Sequence, residues 1–427
     1  MKKINNIKES VFIKDGLNQS YIFYKDDNQN LIFNRANIDN SPTIIDKNIL
    51  DFSATIDENN SLHLLYLNRK GELIYCTYPG KTWHKNLVSR LDIQSNIYKY
   101  LSLILHKNTI NIFYASANII NLNLWTIEHF ANNIDTWQKY IVTNIFSEKI
   151  IDRFYIDKDE FGNIYIVYSG KEYANYNIYY LYFNNFTKKW ATTPTKISSS
   201  YSNNILPYIF VDSHNNVHIL WYISNNEDYV LKYKRFSSTG DNKFQWEEIK
   251  LPKISGHCSQ ALMFEKNGKL NIVYISNEEM FNFISNDYGN TWTLEDKNSI
   301  TQYPIYLIKY YNLSLNRVHS KINHIYGNMN DYIISFYFDN SHEDIIDSNM
   351  SQTNNLNDEN ININSNQKES KFVTNIDMGE LEKLKNTLAE MQSKVKAIKN
   401  DIQLIKDRLT DIEENSKNKI GFLKIKK

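Results

Sequence analysis

Cysteine is almost missing from this chain. Cys76 and Cys258 are the only two in 427 residues, and they stand far apart. They support neither a disulfide framework nor a metal-binding spacing, and they read as two buried thiols. Charge of one sign is missing as well: Lys plus Arg and Asp plus Glu both number 48, so the formal net charge is zero. That removes any global electrostatic case for nucleic acid or an anionic membrane as partner. No stretch approaches the ~20 consecutive apolar residues of a membrane span. The stretch from Met1 to Asp15 holds Lys2, Lys3, Lys8 and Glu9 without an apolar run, so it does not read as a signal peptide. The expected location is therefore the cytoplasm, with a cell-surface or other assembled layer, reached by a non-classical route, as the alternative.

The usual signatures of chemistry are absent too. The chain has no His-Glu-x-x-His, no phosphate loop, no Gly-x-Ser-x-Gly and no dinucleotide fingerprint. No cofactor and no metal is expected from it.

What the chain has is aromatic residues and repetition. Tyr numbers 31 and Phe 21, a composition that favours strands. One pattern recurs: a turn rich in Asn, Gly or Asp, an alternating strand, then an aromatic. It ends in turn at Tyr24, Tyr66, Tyr114, Tyr168, Trp221 and Tyr274, with intervals of 42, 48, 54, 53 and 53 residues. An acid precedes the turn in several repeats, at Asp57, Asp157, Asp212 and Glu265. A third strand follows, then a turn leading to a tryptophan: Trp83, Trp137, Trp190, Trp246 or Trp292. A period near 50 with four short strands suits one propeller blade. A lone four-stranded sheet cannot bury both faces, and stacking the sheets radially solves this. Residues 1–338 are therefore expected to form an all-β propeller. The segment from Tyr303 to Asp339 lacks the aromatic signature but carries strand-like runs at Ile305–Tyr311 and Tyr332–Phe338. Counting it gives seven blades; a six-bladed ring with an irregular closing strand is the alternative.

The run Ser285-Asn-Asp-Tyr-Gly-Asn-Thr-Trp292 fits the pattern Ser-x-Asp-x-Gly-x-Thr-Trp. On these residues the propeller resembles sialidase-type Asp-box propellers, whose box is also called the bacterial neuraminidase repeat. Asp287 is placed to accept hydrogen bonds from turn amides. Gly289 can take the positive φ of the hairpin, and Trp292 can pack between neighbouring sheets. Ser285, Asp287, Gly289, Thr291 and Trp292 are thus structural. The resemblance also implies an activity: sialidases of this type grip the substrate carboxylate with three arginines and use a Tyr nucleophile activated by Glu, with an Asp acid. Arginine is scarce here, confined in the repeats to Arg35, Arg69, Arg90, Arg153, Arg235 and Arg317. None follows Phe and precedes Ile-Pro, and lysine cannot supply the planar fork. No catalytic residue is carried over. His63 and His218 fall at equivalent positions, occupied in other repeats by Tyr21, Asn111, Tyr165 and Asn271, and read as sheet packing and hydrogen bonding rather than metal ligands.

A ligand site is expected at the mouth of the central channel. Repeat alignment brings Asp51, Tyr100, Asp152 and Arg153 there, with Lys171, Glu172 and Tyr173 reaching over it from the longest loop. Aromatics beside charges suit sugar or peptide recognition.

Beyond the propeller, residues 339–376 are dominated by Asn, Ser, Asp and Glu and read as a disordered linker. A helix start follows, with Asp377 as N-cap and Glu380 completing a capping box. Leu381, Leu388, Val395, Ile402 and Leu409 then alternate at 3 and 4 residues with Leu384, Met391, Ile398, Ile405 and Ile412. This is an unbroken heptad seam, and Ile at three of the latter positions favours a trimer or tetramer. Residues 377–415 are expected to make a homo-oligomer, and 416–427 form a basic tail. Together the modules describe a non-enzymatic, multivalent binding or surface-assembly protein with glycan or protein as ligand. A diverged sialidase-like hydrolase and a purely structural assembly protein are the alternatives.

Overall fold

The computed structural model describes residues 8–36, 42–133, 136–148, 150–199, 201–225, 228–238, 243–253, 258–300, 305–313, 320–330 and 333–336. All lie in one unit, Met1–Asp347. The linker, the heptad segment and the basic tail lie outside the described residues, as does Arg317.

Every element among the described residues is a strand. The strands make six sheets. Blade 1 runs from β1 (Lys8–Lys14) to β4 (Thr43–Asp46), blade 2 from β5 (Ile49–Ile56) to β8 (His84–Arg90) and blade 3 from β9 (Asn96–His106) to β12 (Thr136–Phe146). Blade 4 spans β13 (Tyr155–Lys158) to β17 (Thr195–Lys196), blade 5 β18 (Asn203–Val211) to β21 (Trp246–Glu248) and blade 6 β22 (Leu262–Lys266) to β25 (Thr293–Ser299). Within each blade the strands are antiparallel neighbours in chain order, save that β17 pairs back beside β16 (Lys189–Trp190). First strands of successive blades touch from β1 to β5, β5 to β9, β13 to β18 and β18 to β22.

The expected seventh blade does not form a sheet of its own. β26 (Ile305–Asn312) pairs in parallel with β1 over Lys8–Lys14, and β27 (His324–Asn330) and β28 (Ile333–Phe336) follow it. The closing segment thus extends blade 1 to seven strands, and the ring has six blades. The physical reason is the missing fourth strand and missing tryptophan. A three-stranded piece without an inter-blade plug gains more by satisfying the inner edge of β1 than by standing alone. β27 packs against β22, which closes the circle.

The tryptophans hold the blades together. Trp83 sits edge-on to Phe23 and Phe33 of blade 1, at 6.1 and 5.4 Å between ring centroids. Trp190 meets Phe113 and His129 of blade 3, Trp246 meets Tyr180 of blade 4, and Trp292 meets Tyr233 of blade 5. Trp137 packs in the cluster that holds Leu65, Leu67 and Leu73 of blade 2. Each ring therefore covers apolar surface on the preceding blade, which is why the same place in the repeat carries it.

A second device recurs at the turn between first and second strands. In blades 1, 2, 4 and 5 the turn acid is Asp15, Asp57, Asp159 or Asp212. One oxygen accepts the amide four residues on, at 2.8–2.9 Å. The other accepts Tyr21, His63, Tyr165 or His218 from the next strand, at 2.8–3.1 Å. The residue three on, Asn18, Asn60, Gly162 or Asn215, has positive φ. Asn and Gly tolerate that region, which explains the Asn- and Gly-rich turn in the sequence. The histidine and tyrosine slot is thus a hydrogen-bonding one. The fourth repeat needs a correction: its turn acid is Asp159, and Asp157 points elsewhere.

Candidate functional site

The first strands and the closing segment enclose a cavity of about 370 Å³ on the propeller axis. Its walls come from β1, β5, β9, β13, β26 and the connection into β27. Phe52, Tyr155, Tyr310 and Tyr311 give it aromatic surface, and Arg153 and Lys309 give it positive charge. The strands position these groups by alternation. On β26, Leu307, Lys309 and Tyr311 share one face, and Lys309 Nζ donates to Ser53 Oγ of β5 at 3.1 Å while lying 5.4 Å from the centre of the Tyr311 ring.

The floor is made by the connection into β27. Lys321 exchanges two backbone hydrogen bonds with Glu265, each 2.8 Å. Its ammonium donates to both oxygens of Asp157 at 2.9 Å, and to the carbonyls of Lys158 and Val211 at 3.2 and 2.7 Å. Asp157 also accepts the Val211 amide at 2.7 Å. This lysine plug fills the space beside blades 5 and 6, so β18 and β22 contribute nothing to the cavity wall. Beside it, burial and the Lys321 charge hold the Lys158 ammonium below its ordinary range, and Lys158 donates to the Leu105 carbonyl.

Of the residues expected at the mouth, Arg153 lines the cavity, and its guanidinium lies 5.7 and 5.5 Å from the ring centres of Tyr100 and Tyr155. Tyr100 has φ +61 at a bulge of β9 and donates its hydroxyl to the Ile151 carbonyl at 2.9 Å. Asp51 accepts the Leu101 amide at 2.8 Å, stitching blade 2 to blade 3 beside Tyr100. Asp152 accepts the Ser169 hydroxyl at 3.1 Å, and burial raises its carboxyl above the usual range. Asp51, Tyr100 and Asp152 thus support the wall without lining the cavity. Lys171, Glu172 and Tyr173 form a separate group at a hairpin end. Lys171 pairs with Glu148, and Glu172 accepts from Lys196 and from the Tyr179 hydroxyl. The Lys196 and Tyr179 hydrogen bonds hold Glu172 below the usual carboxylate range. Tyr173 is 94% exposed.

Sequence reasoning missed Lys309, Tyr155, His324 and Lys321. One signal was available: Lys309 is the only charge in Ile305–Tyr311, a run otherwise fit for burial. His324 is its cross-strand partner. It stands edge-on to Tyr155 and Tyr208 at 5.4 and 5.7 Å, and burial, followed by the charges of Arg153 and Lys309, keeps it neutral.

The Asp-box run folds as a closed turn. Asp287 accepts the Ser285 hydroxyl, the Thr291 amide and the Thr291 hydroxyl at 2.7, 2.9 and 2.7 Å, and Ser285 Oγ accepts the Gly289 amide at 2.8 Å. Burial alone would raise Asp287, but these hydrogen bonds together lower it. Among the described residues, no group of three His, Cys, Asp or Glu is placed to hold a metal ion. Both cysteines are free and buried, and burial pushes the Cys76 thiol up to about 12. No described helix is long and apolar enough to cross a membrane.

No family model matches the chain, and no curated protein matches it. Among solved structures it is similar to a lectin from Aleuria aurantia in complex with Fucalpha1-6GlcNAc, at 12% identity and a TM-score of 0.41, over 70% of this chain and 97% of that one. It is similar to the SapL1 lectin in complex with alpha methyl fucoside at 11% identity and 0.39, over 69% and 97%. An alpha-L-arabinanase from Penicillium chrysogenum matches at 14% and 0.40, over 65% and 93%. Likeness at this level carries no argument about what the axial cavity holds.

Proposed function

We propose that the chain is a non-enzymatic binding protein whose propeller takes a small polar ligand, a sugar first, in the axial cavity. One observation carries this reading: a preformed space of about 370 Å³ in which Phe52, Tyr155 and Tyr311 stand beside Arg153 and Lys309. Small-molecule sites are concave, largely apolar and furnished with a few placed polar groups, in the range of roughly 300–1,000 Å³. Aromatic faces suit the C–H surface of a sugar ring, and the charges orient its hydroxyls.

The binding reading is favoured over hydrolysis by how the carboxylates are used. Asp157 is held by Lys321, and Asp57 by His63 and the turn amides of Asn59 and Ser61. Neither is poised as an acid or nucleophile. The closed turn at Asp287 supports a resemblance of the propeller to sialidase-type Asp-box propellers, without their catalytic signature. The heptad segment 377–415 would gather several propellers, so that weak sites act together through effective concentration.

The test is a glycan array probed with the full chain, with Arg153→Ala, and with a chain ending at residue 376. Specific binding by the full chain, lost with Arg153→Ala and weakened on truncation, is the expected result. An array without hits removes the sugar reading, and turnover of a fluorogenic glycoside replaces it with the hydrolase reading.

A further inference from the structure

Five cationic side chains line the axial cavity against three carboxylates. Two of those carboxylates, Asp57 and Asp157, are already occupied by hydrogen bonds and by Lys321. The third, Glu58, is exposed at the rim. Lys309 has no carboxylate partner among the described residues; its contacts are the Ser53 hydroxyl and the Tyr311 ring. An ammonium drawn into a half-buried channel with one neutral acceptor is a costly arrangement unless an anion completes it. Arg153 precedes β13 of blade 4 and lies over the Tyr100 ring of β9, whereas Lys309 comes from β26 and reaches Ser53 Oγ, which also accepts the Leu103 amide of β9, so the two cations come from different elements to one part of the cavity. They are linked through His324, which is paired with Lys309 and edge-on to Tyr155, the ring beneath Arg153.

We infer that the cavity is built for a tetrahedral oxyanion, the phosphate or sulfate ester of a small sugar-sized molecule. The inference rests on the cavity being the ligand site. A planar carboxylate presents both oxygens to one side and suits a single guanidinium fork. A tetrahedral group directs oxygens to several sides at once, which matches an ammonium and a guanidinium carried on two separate elements. His324 stays neutral and adds no third charge. Aromatic walls then hold the remainder of the molecule.

Calorimetric titration of the full chain tests this with four probes: glucose 6-phosphate, galactose 6-sulfate, glucuronate and glucose. At least one ester is expected to bind about tenfold or more tightly than both glucuronate and glucose, since charge-assisted hydrogen bonds are roughly twice as strong as neutral ones. Lys309→Met should abolish that margin and Lys309→Arg should keep most of it. Inorganic phosphate should compete. The ratio of the two esters identifies which oxyanion is preferred. Should Lys309→Met fail to fold, the unmodified protein still decides: raising salt from about 0.05 to 0.5 M must weaken the ester far more than glucose. Glucuronate binding as tightly as the esters, an unchanged margin in Lys309→Met, or no salt dependence overturns the inference. Sugar binding without an ester margin sinks the oxyanion and leaves the binding function standing; no binding of any probe sinks both.

Discussion

The Trp190 indole N–H of blade 4 donates to Nδ1 of His129 in blade 3 across 3.2 Å. The other ring nitrogen of His129 meets Asn111 Oδ1, an acceptor, at 2.9 Å. The imidazole therefore carries its proton on Nε2 and accepts at Nδ1, and both nitrogens are satisfied only in the neutral form. Phe113 stacks on it at 4.3 Å and Tyr140 at 5.2 Å.

This arrangement makes the propeller acid-sensitive. Burial lowers the His129 pKa from 6.5 to about 3. The unfolded chain binds a proton below 6.5 that the folded one refuses, so stability is full above 6.5 and falls as pH drops toward 3. At pH 5 the loss from this one group is about 2 kcal/mol. Urea midpoints at pH 7 and pH 5 should differ, and His129→Gln should reduce the difference, leaving the part contributed by the buried His324. An equal slope in both proteins would dismiss His129 as the sensor.

Trp190→Ala is expected to cost about 3 kcal/mol, because it opens a hole between two blades and leaves Nδ1 of His129 without its donor. Trp190→Phe should recover the packing and not the hydrogen bond, giving an intermediate value by chemical denaturation.

Gly289 has φ +88, and a Cβ there would stand 2.1 Å from the Tyr233 hydroxyl. Gly289→Ala should destabilise by about 2 kcal/mol or more through strain and overlap. The same change in a Tyr233→Phe background should cost less, since the clashing oxygen is gone. Additive losses in that double-mutant cycle would argue that backbone strain alone is responsible.

Lys321→Met should cost about 3 kcal/mol by stranding the Asp157 carboxylate, which is 5% exposed. Adding Asp157→Asn should return part of that stability, because the buried charge then disappears. A double variant no better than Lys321→Met contradicts the ion-pair account of the plug.

Removal of residues 377–427 should convert a trimer or tetramer into a monomer by light scattering without changing the thermal transition of the propeller. A monomeric full chain ends the avidity argument.

Residue patterning alone determined the blade repeat, the inter-blade tryptophans and the Asp287 turn. These are local: acid, amide and turn residue lie within four positions in the Asp287 turn, and strand alternation within a few more, so spacing in the chain is spacing in the molecule. Even so, the fourth repeat was misaligned by two residues between Asp157 and Asp159, since both stand beside the same turn. Only the tertiary structure decided that the ring has six blades, because the parallel pairing of β1 with β26 joins the two ends of the propeller. It alone brought Lys309 to Ser53, 256 residues away, and Lys321 to Asp157, 164 residues away. Contacts of that range depend on which edges and charges remain unsatisfied after every blade has formed, and no periodicity in the chain encodes that remainder.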